Sequence, residues 1–160
     1  MEYDTDVLAF IEEREKKIGG KLIYRTYATW FAELGRERRE WGVFLYTDGK
    51  TLMIEDFYRP STVLGYEINS KSEKERKANY VKLEIPVLLS DVTEVDYVSR
   101  PSAEKSLKTI NDVSKSATLF NKIFTKNCVK LRAGERIFFF ELPSYREFKN
   151  LFDKKQGVLK

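Results

Sequence analysis

Apolar residues recur at helical spacing over residues 4–18, where Val7, Phe10 or Ile11, Arg14 and Ile18 trace one face. Asp4 or Thr5 is placed to cap that helix and Gly19-Gly20 to stop it. Lys21 to Leu34 is rich in Tyr, Ile, Thr and Trp and holds neither Gly nor Pro, so it reads as one long strand. Alternation puts Leu22, Tyr24, Thr26, Ala28 and Trp30 on one side and Ile23, Arg25, Tyr27, Thr29 and Phe31 on the other. Residues 35–40 form a polar connection. Trp41 to Thr47 is the next strand, Asp48-Gly49 a tight turn, and Thr51 to Tyr58 the returning strand.

Pro60 ends that ladder, because proline has no N–H to give it. Leu64 to Ile68 reads as a short strand, and the charged stretch Ser70 to Ala78 as an exposed loop or a frayed helix. Two further strands are expected at 81–85 and 92–98, with a bend at Pro86 and at Ser90-Asp91. Ser102 can cap a helix carrying Leu107, Ile110 and Val113, and Leu119 to Phe124 fits helix or strand equally. Asn127 to Arg132 and Glu135 to Leu142 flank Ala133-Gly134 as a hairpin. Ser144 and Glu147 then form a capping box, and Phe148, Leu151 and Phe152 stripe a short helix ending near Gly157.

Composition changes this picture at a few points. Hydrophobic residues make up 42% of the 160, enough for one core without covalent staples, so residues 1–160 read as a single domain. Cys128 is the one cysteine, which excludes an intrachain disulfide. The opening residues lack a signal-peptide pattern, and no run approaches the ~20 apolar residues that cross a bilayer, so a cytoplasmic location is expected. Histidine is absent, which removes every triad, base or metal site that needs an imidazole.

The net charge of +4 is unevenly spread. Residues 1–20 hold six acids against three bases, whereas residues 100–132 hold eight bases against Glu104 and Asp112. Such a basic stretch attracts anionic surfaces or simply keeps a face solvated.

The order of elements resembles the pleckstrin-homology-like superfamily. Residues 41–50 (WGVFLYTDGK) are similar to that fold's second strand and turn. Residues 83–86 (LEIP) with 91–95 (DVTEV) resemble a strand pair of bacterial and lipid-associated members, and residues 137–142 (IFFFEL) with the capped helix resemble the closing strand and helix. The resemblance spans residues 21–155. It implies an α+β fold: an antiparallel β-barrel or sandwich of about seven strands, closed by a C-terminal helix. The N-terminal helix and a helical segment around 102–124 are additions. Two departures bear on function. Phe148, Leu151 and Phe152 stand where true members usually carry a tryptophan. Glu37 and Glu40 interrupt the basic run that phosphoinositide binders place before strand two, which here opens with Trp41.

The arginines of that loop carry the sharpest candidate chemistry. Arg36, Arg38 and Arg39, joined by Arg59 returning to the same end, can grip an anionic headgroup or an acidic partner segment through their guanidinium forks. Tyr24, Tyr27, Trp30, Trp41, Phe44 and Tyr46 suit either a base-stacking platform or a core. Asp91, Glu94 and Asp96 lie close together without a partner that would make a metal site, and Cys128 reads first as a half-buried inert cysteine, although the lysines beside it could favour a thiolate. The sequence therefore predicts a non-catalytic binding module, without cofactor or metal, for a protein partner or an anionic group or membrane surface. A nucleic-acid binder and, last, a carboxylate-dependent hydrolase are the alternatives.

Overall fold

The computed structural model describes residues 5–36, 38–40, 42–58 and 60–156, with the side chains of 121 and 154–156 set aside. Asp4 as a cap, Glu37, Trp41 at the head of its strand, Arg59 and Gly157 therefore lie outside the described residues. Helix α1 (Thr5–Ile18) precedes strands β1 (Tyr24–Ala28), β2 (Trp30–Glu33), β3 (Arg38–Arg39), β4 (Val43–Thr47), β5 (Thr51–Glu55), β6 (Thr62–Val63) and β7 (Tyr66–Glu67). Helix α2 (Lys71–Ala78), β8 (Glu84–Leu88) and β9 (Val92–Ser99) follow, then α3 (Arg100–Thr109), α4 (Leu119–Phe124), β10 (Asn127–Ala133), β11 (Arg136–Glu141) and α5 (Tyr145–Gln156).

The architecture is α+β, with antiparallel sheets. A four-stranded sheet runs β1-β4-β5-β8, a five-stranded sheet runs β3-β2-β11-β10-β9, and β6-β7 is a small separate hairpin. Among the described residues the ladders do not close into a barrel. The two larger sheets share one apolar core: Leu45, Leu52 and Ile54 of the first meet Phe31, Leu131, Phe138 and Phe140 of the second. A second cluster on the far side of the five-stranded sheet, with Trp30, Cys128 and Phe139, is covered by Ala103 and Leu107 of α3.

The expected single strand over residues 21–34 is in fact two. Ala28 and Phe31 belong to the central core while Trp30 belongs to the outer cluster, so the alternation slips by one residue at Thr29. There the chain leaves the four-stranded sheet and enters the five-stranded one, which no simple alternation can describe. Gly42 lies beside this corner at φ +87°, and a Cβ there would meet the Ala28 carbonyl oxygen at 2.1 Å, so only glycine fits.

Other expectations shift by smaller amounts. Pro86 lies inside β8 rather than at a bend, which is permitted because β8 is an edge strand. The charged stretch after Ser70 is a helix, whose cap is the Ser70 hydroxyl accepting from the Glu73 N–H at 3.1 Å. Ser99, not Ser102, caps α3, so Pro101 sits in the first turn, where its missing N–H costs nothing. Leu119 to Phe124 is helical. Residues after α3 run beside β9, with the Ala117 N–H donating to the Tyr97 carbonyl at 2.6 Å, and so cover the edge of the five-stranded sheet. No helix of the described residues is long and apolar enough to cross a membrane.

Helix α1 is clasped to the outer face of the four-stranded sheet by charge. Glu55, fully buried, accepts from Arg14 at 2.7 Å and from the Tyr46 hydroxyl at 2.9 Å, and pairs with Lys82 at 3.1 Å. The Arg14 guanidinium lies 3.8 Å from the centre of the Phe10 ring, which packs edge-on against Phe44 at 5.3 Å. Burial would raise the Glu55 carboxyl, but the bonds from Arg14, Tyr46 and Lys82 overcome it and hold the group at about 2.

Two predictions follow from the packing and from the clasp. Phe148 is fully buried against Tyr24, Phe140 and Phe152, so Phe148→Ala should lose about 3–5 kcal/mol in denaturant titration. A loss within experimental error would detach α5 from the core. The folded Glu55 pKa lies below its ordinary 4.5, so its contribution is complete above that value and fades as pH falls toward about 2. Glu55→Gln should therefore cost about 3 kcal/mol at neutral pH, by leaving the buried Arg14 only the exposed Glu13 as counter-charge, and the difference from wild type should shrink in acid. Parallel stability curves down to pH 2 would refute the clasp.

Candidate functional site

The end of β5 carries two consecutive buried carboxylates. Strand alternation sends Glu55 to the outer face under α1 and Asp56 to the other side. Asp56 is fully buried and answers three donors: Arg39 at 2.9 Å, the Tyr80 hydroxyl at 2.5 Å and the Leu83 N–H at 2.7 Å. Asp56 thereby draws together the segment after β2, the end of β5 and the segment after α2.

Between these segments lies a pocket of about 450 Å³. Among the described residues, Phe57, Tyr58, Tyr80 and Val81 supply apolar surface, while Arg38, Arg39 and Arg76 bring three guanidinium groups to its lining. Tyr58 and Tyr80 meet edge to face at 5.3 Å, and the Arg76 guanidinium lies 5.4 Å from the Tyr58 ring centre. Each arginine is oriented by a carboxylate: Arg38 by Glu40 at 2.5 Å, Arg39 by Asp56, and Arg76 by Glu73 at 2.9 Å. Glu73 also receives the Tyr58 hydroxyl and the Ser61 N–H at 3.1 Å. The bonds from Tyr58 and Arg76 hold the Glu73 carboxyl at about 2. Burial, followed by the bond to Asp56, pushes the Tyr80 phenol well above its ordinary range, and burial with the bond to Glu73 raises that of Tyr58.

The predicted arginine loop is thus divided. Arg38 and Arg39 form β3 at the edge of the five-stranded sheet, opposite Ala32 and Phe31, and both line the pocket. Arg36 turns aside toward Glu33 at 3.9 Å and borders a different depression beside Leu107 and Ile110, which Arg38 also lines. Arg59 lies outside the described residues. Sequence reasoning missed Arg76, Tyr58, Tyr80 and Asp56, which come from the long connection between β5 and β8. The alternation of β5 singles out the Glu55-Asp56 pair as one inward and one outward carboxylate, and that was the available signal.

The other candidates are absorbed by packing. Trp30 and Tyr46 are buried, so they offer no stacking platform to a nucleic acid. Glu94 pairs with Lys130 at 2.6 Å and Arg132 at 3.2 Å, and the Asp96 carboxylate accepts from the Ser116 hydroxyl. Among the described residues no three His, Cys, Asp or Glu side chains are grouped to hold a metal ion. Cys128 is fully buried rather than half-buried, and burial pushes its thiol up to about 12, which makes it the inert cysteine that was expected. An aromatic disulfide reagent should therefore leave native protein unlabelled at neutral pH and label it fully in denaturant. Rapid labelling of the folded chain would contradict its placement under α3. Compared with known proteins, the chain matches no family model and no curated sequence.

Proposed function

We propose that the protein is a non-catalytic binding module on a pleckstrin-homology-like sandwich, and that its arginine–tyrosine pocket takes a partner protein's segment pairing an apolar side chain with an acidic one. The fold reading is supported by the strand order. With β1 and β2 taken as one strand bent at Thr29, and the two-residue strands β3, β6 and β7 set aside, seven strands in two antiparallel sheets precede α5. Its single, buried cysteine suits a reducing compartment, and we place it in the cytoplasm.

The observation that carries the binding reading is the composition of the pocket: aromatic walls with three guanidiniums, each oriented by its own carboxylate. Tyr and Arg supply most of the binding energy at protein interfaces, and a pre-oriented guanidinium loses less entropy on binding. A volume of about 450 Å³ suits a side chain or two rather than a long groove. Among the described residues, arginines and carboxylates balance, which favours a mixed peptide over a bare phosphate.

An array of short peptides, each pairing an aromatic or aliphatic residue with Asp or Glu, tests this directly. Wild-type protein should retain a subset, more weakly as salt rises, and Arg38→Glu with Arg76→Glu should abolish retention without changing the thermal midpoint. Both arginines are about half exposed, so the fold does not rest on them. Unchanged retention by the reversed protein would sink the reading. Equal occupancy of the pocket by inorganic phosphate alone, seen as the same amide shifts in NMR, would reduce it to a simple anion site.

A further inference from the structure

The large apolar residues that the fold leaves in solvent include a compact group on α4. Leu119, Phe120, Ile123 and Phe124 are between 66% and 78% exposed, and all lie in this six-residue helix. At about 100° per residue, positions i, i+1, i+4 and i+5 share one arc of a helix. The Phe120 and Phe124 rings touch at 4.6 Å. None of the four belongs to either core cluster. The segment is moored on both sides of the helix, by the Ala117 N–H to the Tyr97 carbonyl at 2.6 Å and by the Arg100 N–H to the Lys126 carbonyl at 2.8 Å. The apolar arc therefore projects from a fixed base.

Along the chain, the charge on either side of α4 is of one sign. No acidic residue occurs between Asp112 and Glu135. Lys130 and Arg132 in that stretch are already matched by Glu94 and Asp112. Lys115, Lys122 and Lys126 are exposed, and among the described residues no carboxylate pairs with them. Lys122 lies on α4 itself, and Lys115 and Lys126 flank it in the chain.

We propose that α4 docks the protein on an anionic membrane surface. Leu119, Phe120, Ile123 and Phe124 enter the boundary between headgroups and acyl chains, while Lys115, Lys122 and Lys126 meet the lipid phosphates and carboxylates. Two other occupants fit less well. A second copy of the chain would set the same lysines against each other across a two-fold axis. One six-residue helix also falls short of the roughly 800 Å² per partner that a stable interface buries. A folded partner would need a cavity shaped to receive four projecting side chains, whereas a bilayer deforms around them. None of the residues that line the arginine–tyrosine pocket lies on this segment.

Flotation of the full chain with phosphatidylcholine vesicles, with and without phosphatidylserine, tests it. The protein should float with the phosphatidylserine-containing vesicles and be released by salt. Phe120→Ser with Phe124→Ser, and separately Lys122→Glu with Lys126→Glu, should each lower the bound fraction about tenfold or more. Unchanged circular dichroism and thermal midpoint would confirm that both variants fold, as their exposure requires. The pocket variant Arg38→Glu with Arg76→Glu should float like wild type. A wild-type protein that stays at the bottom of the gradient, or a Phe120→Ser/Phe124→Ser variant that floats equally well, overturns the proposal. So does flotation lost with the pocket arginines alone, or a dimer in sedimentation that the two serine substitutions abolish while no vesicle is bound.

Discussion

Where the first long strand passes from one sheet to the other, the Thr29 N–H donates to the Glu141 carbonyl at 3.0 Å and the Thr29 hydroxyl to the Glu141 carboxylate at 3.2 Å. The same carboxylate receives Arg100, whose guanidinium lies 3.7 Å from the centre of the Trp30 ring. One corner thus joins the first strand to the last and seats α3 on the outer cluster. The two sheets can face each other across Phe31, Phe138 and Phe140 because this strand belongs to both. A second corner, the short 3₁₀ turn at Leu89–Asp91 between β8 and β9, joins the sheets again.

Within that frame, the Glu55-Asp56 pair sets what lies outside the core. Adjacent strand residues point to opposite faces, so the two carboxylates act on different segments. Glu55 gathers Arg14 and Lys17 and thereby fixes α1 on the outer face. Asp56 gathers Arg39, Tyr80 and the Leu83 N–H and thereby shapes the pocket. Burying a carboxylate unpaired is costly, so each holds its donors firmly, and the pocket inherits that rigidity. A site built on such a support loses little conformational freedom when a ligand arrives.

The surface then divides into two kinds of region. Around the pocket, positive charge is met locally by Glu40, Asp56 and Glu73, which favours recognition by shape and mixed chemistry. Around α4, apolar side chains stand in solvent beside lysines with no counter-charge, which favours a deformable anionic surface. The first region is held by buried hydrogen bonds, whereas the four apolar side chains of α4 join neither core, so substitutions there are separable from stability.

Much of the fold is local and was therefore legible. Gly49 at φ +91° closes the β4–β5 turn, the Ser144 hydroxyl accepts from the Glu147 N–H at 3.3 Å, and Phe148 and Phe152 mark the buried stripe of α5. Each depends on residues within a few positions of one another, as do the period of α1 and the apolar run of β11. The basic bias of residues 100–132 was equally visible. What the chain could not disclose is whatever pairs residues far apart in sequence. The slip at Thr29 depends on Glu141, more than a hundred positions away, and the ladder of two different sheets overrides alternation there. Arg36, Arg38 and Arg39 look equivalent in sequence, yet Asp56 draws Arg39 to the pocket, Arg38 borders both the pocket and the neighbouring depression, and Arg36 stays beside Glu33. Tyr80 joins them through its bond to the buried Asp56 and Arg76 through Glu73, which also holds Tyr58, and the exposure of α4 emerges only in the fold, where its apolar residues join neither core.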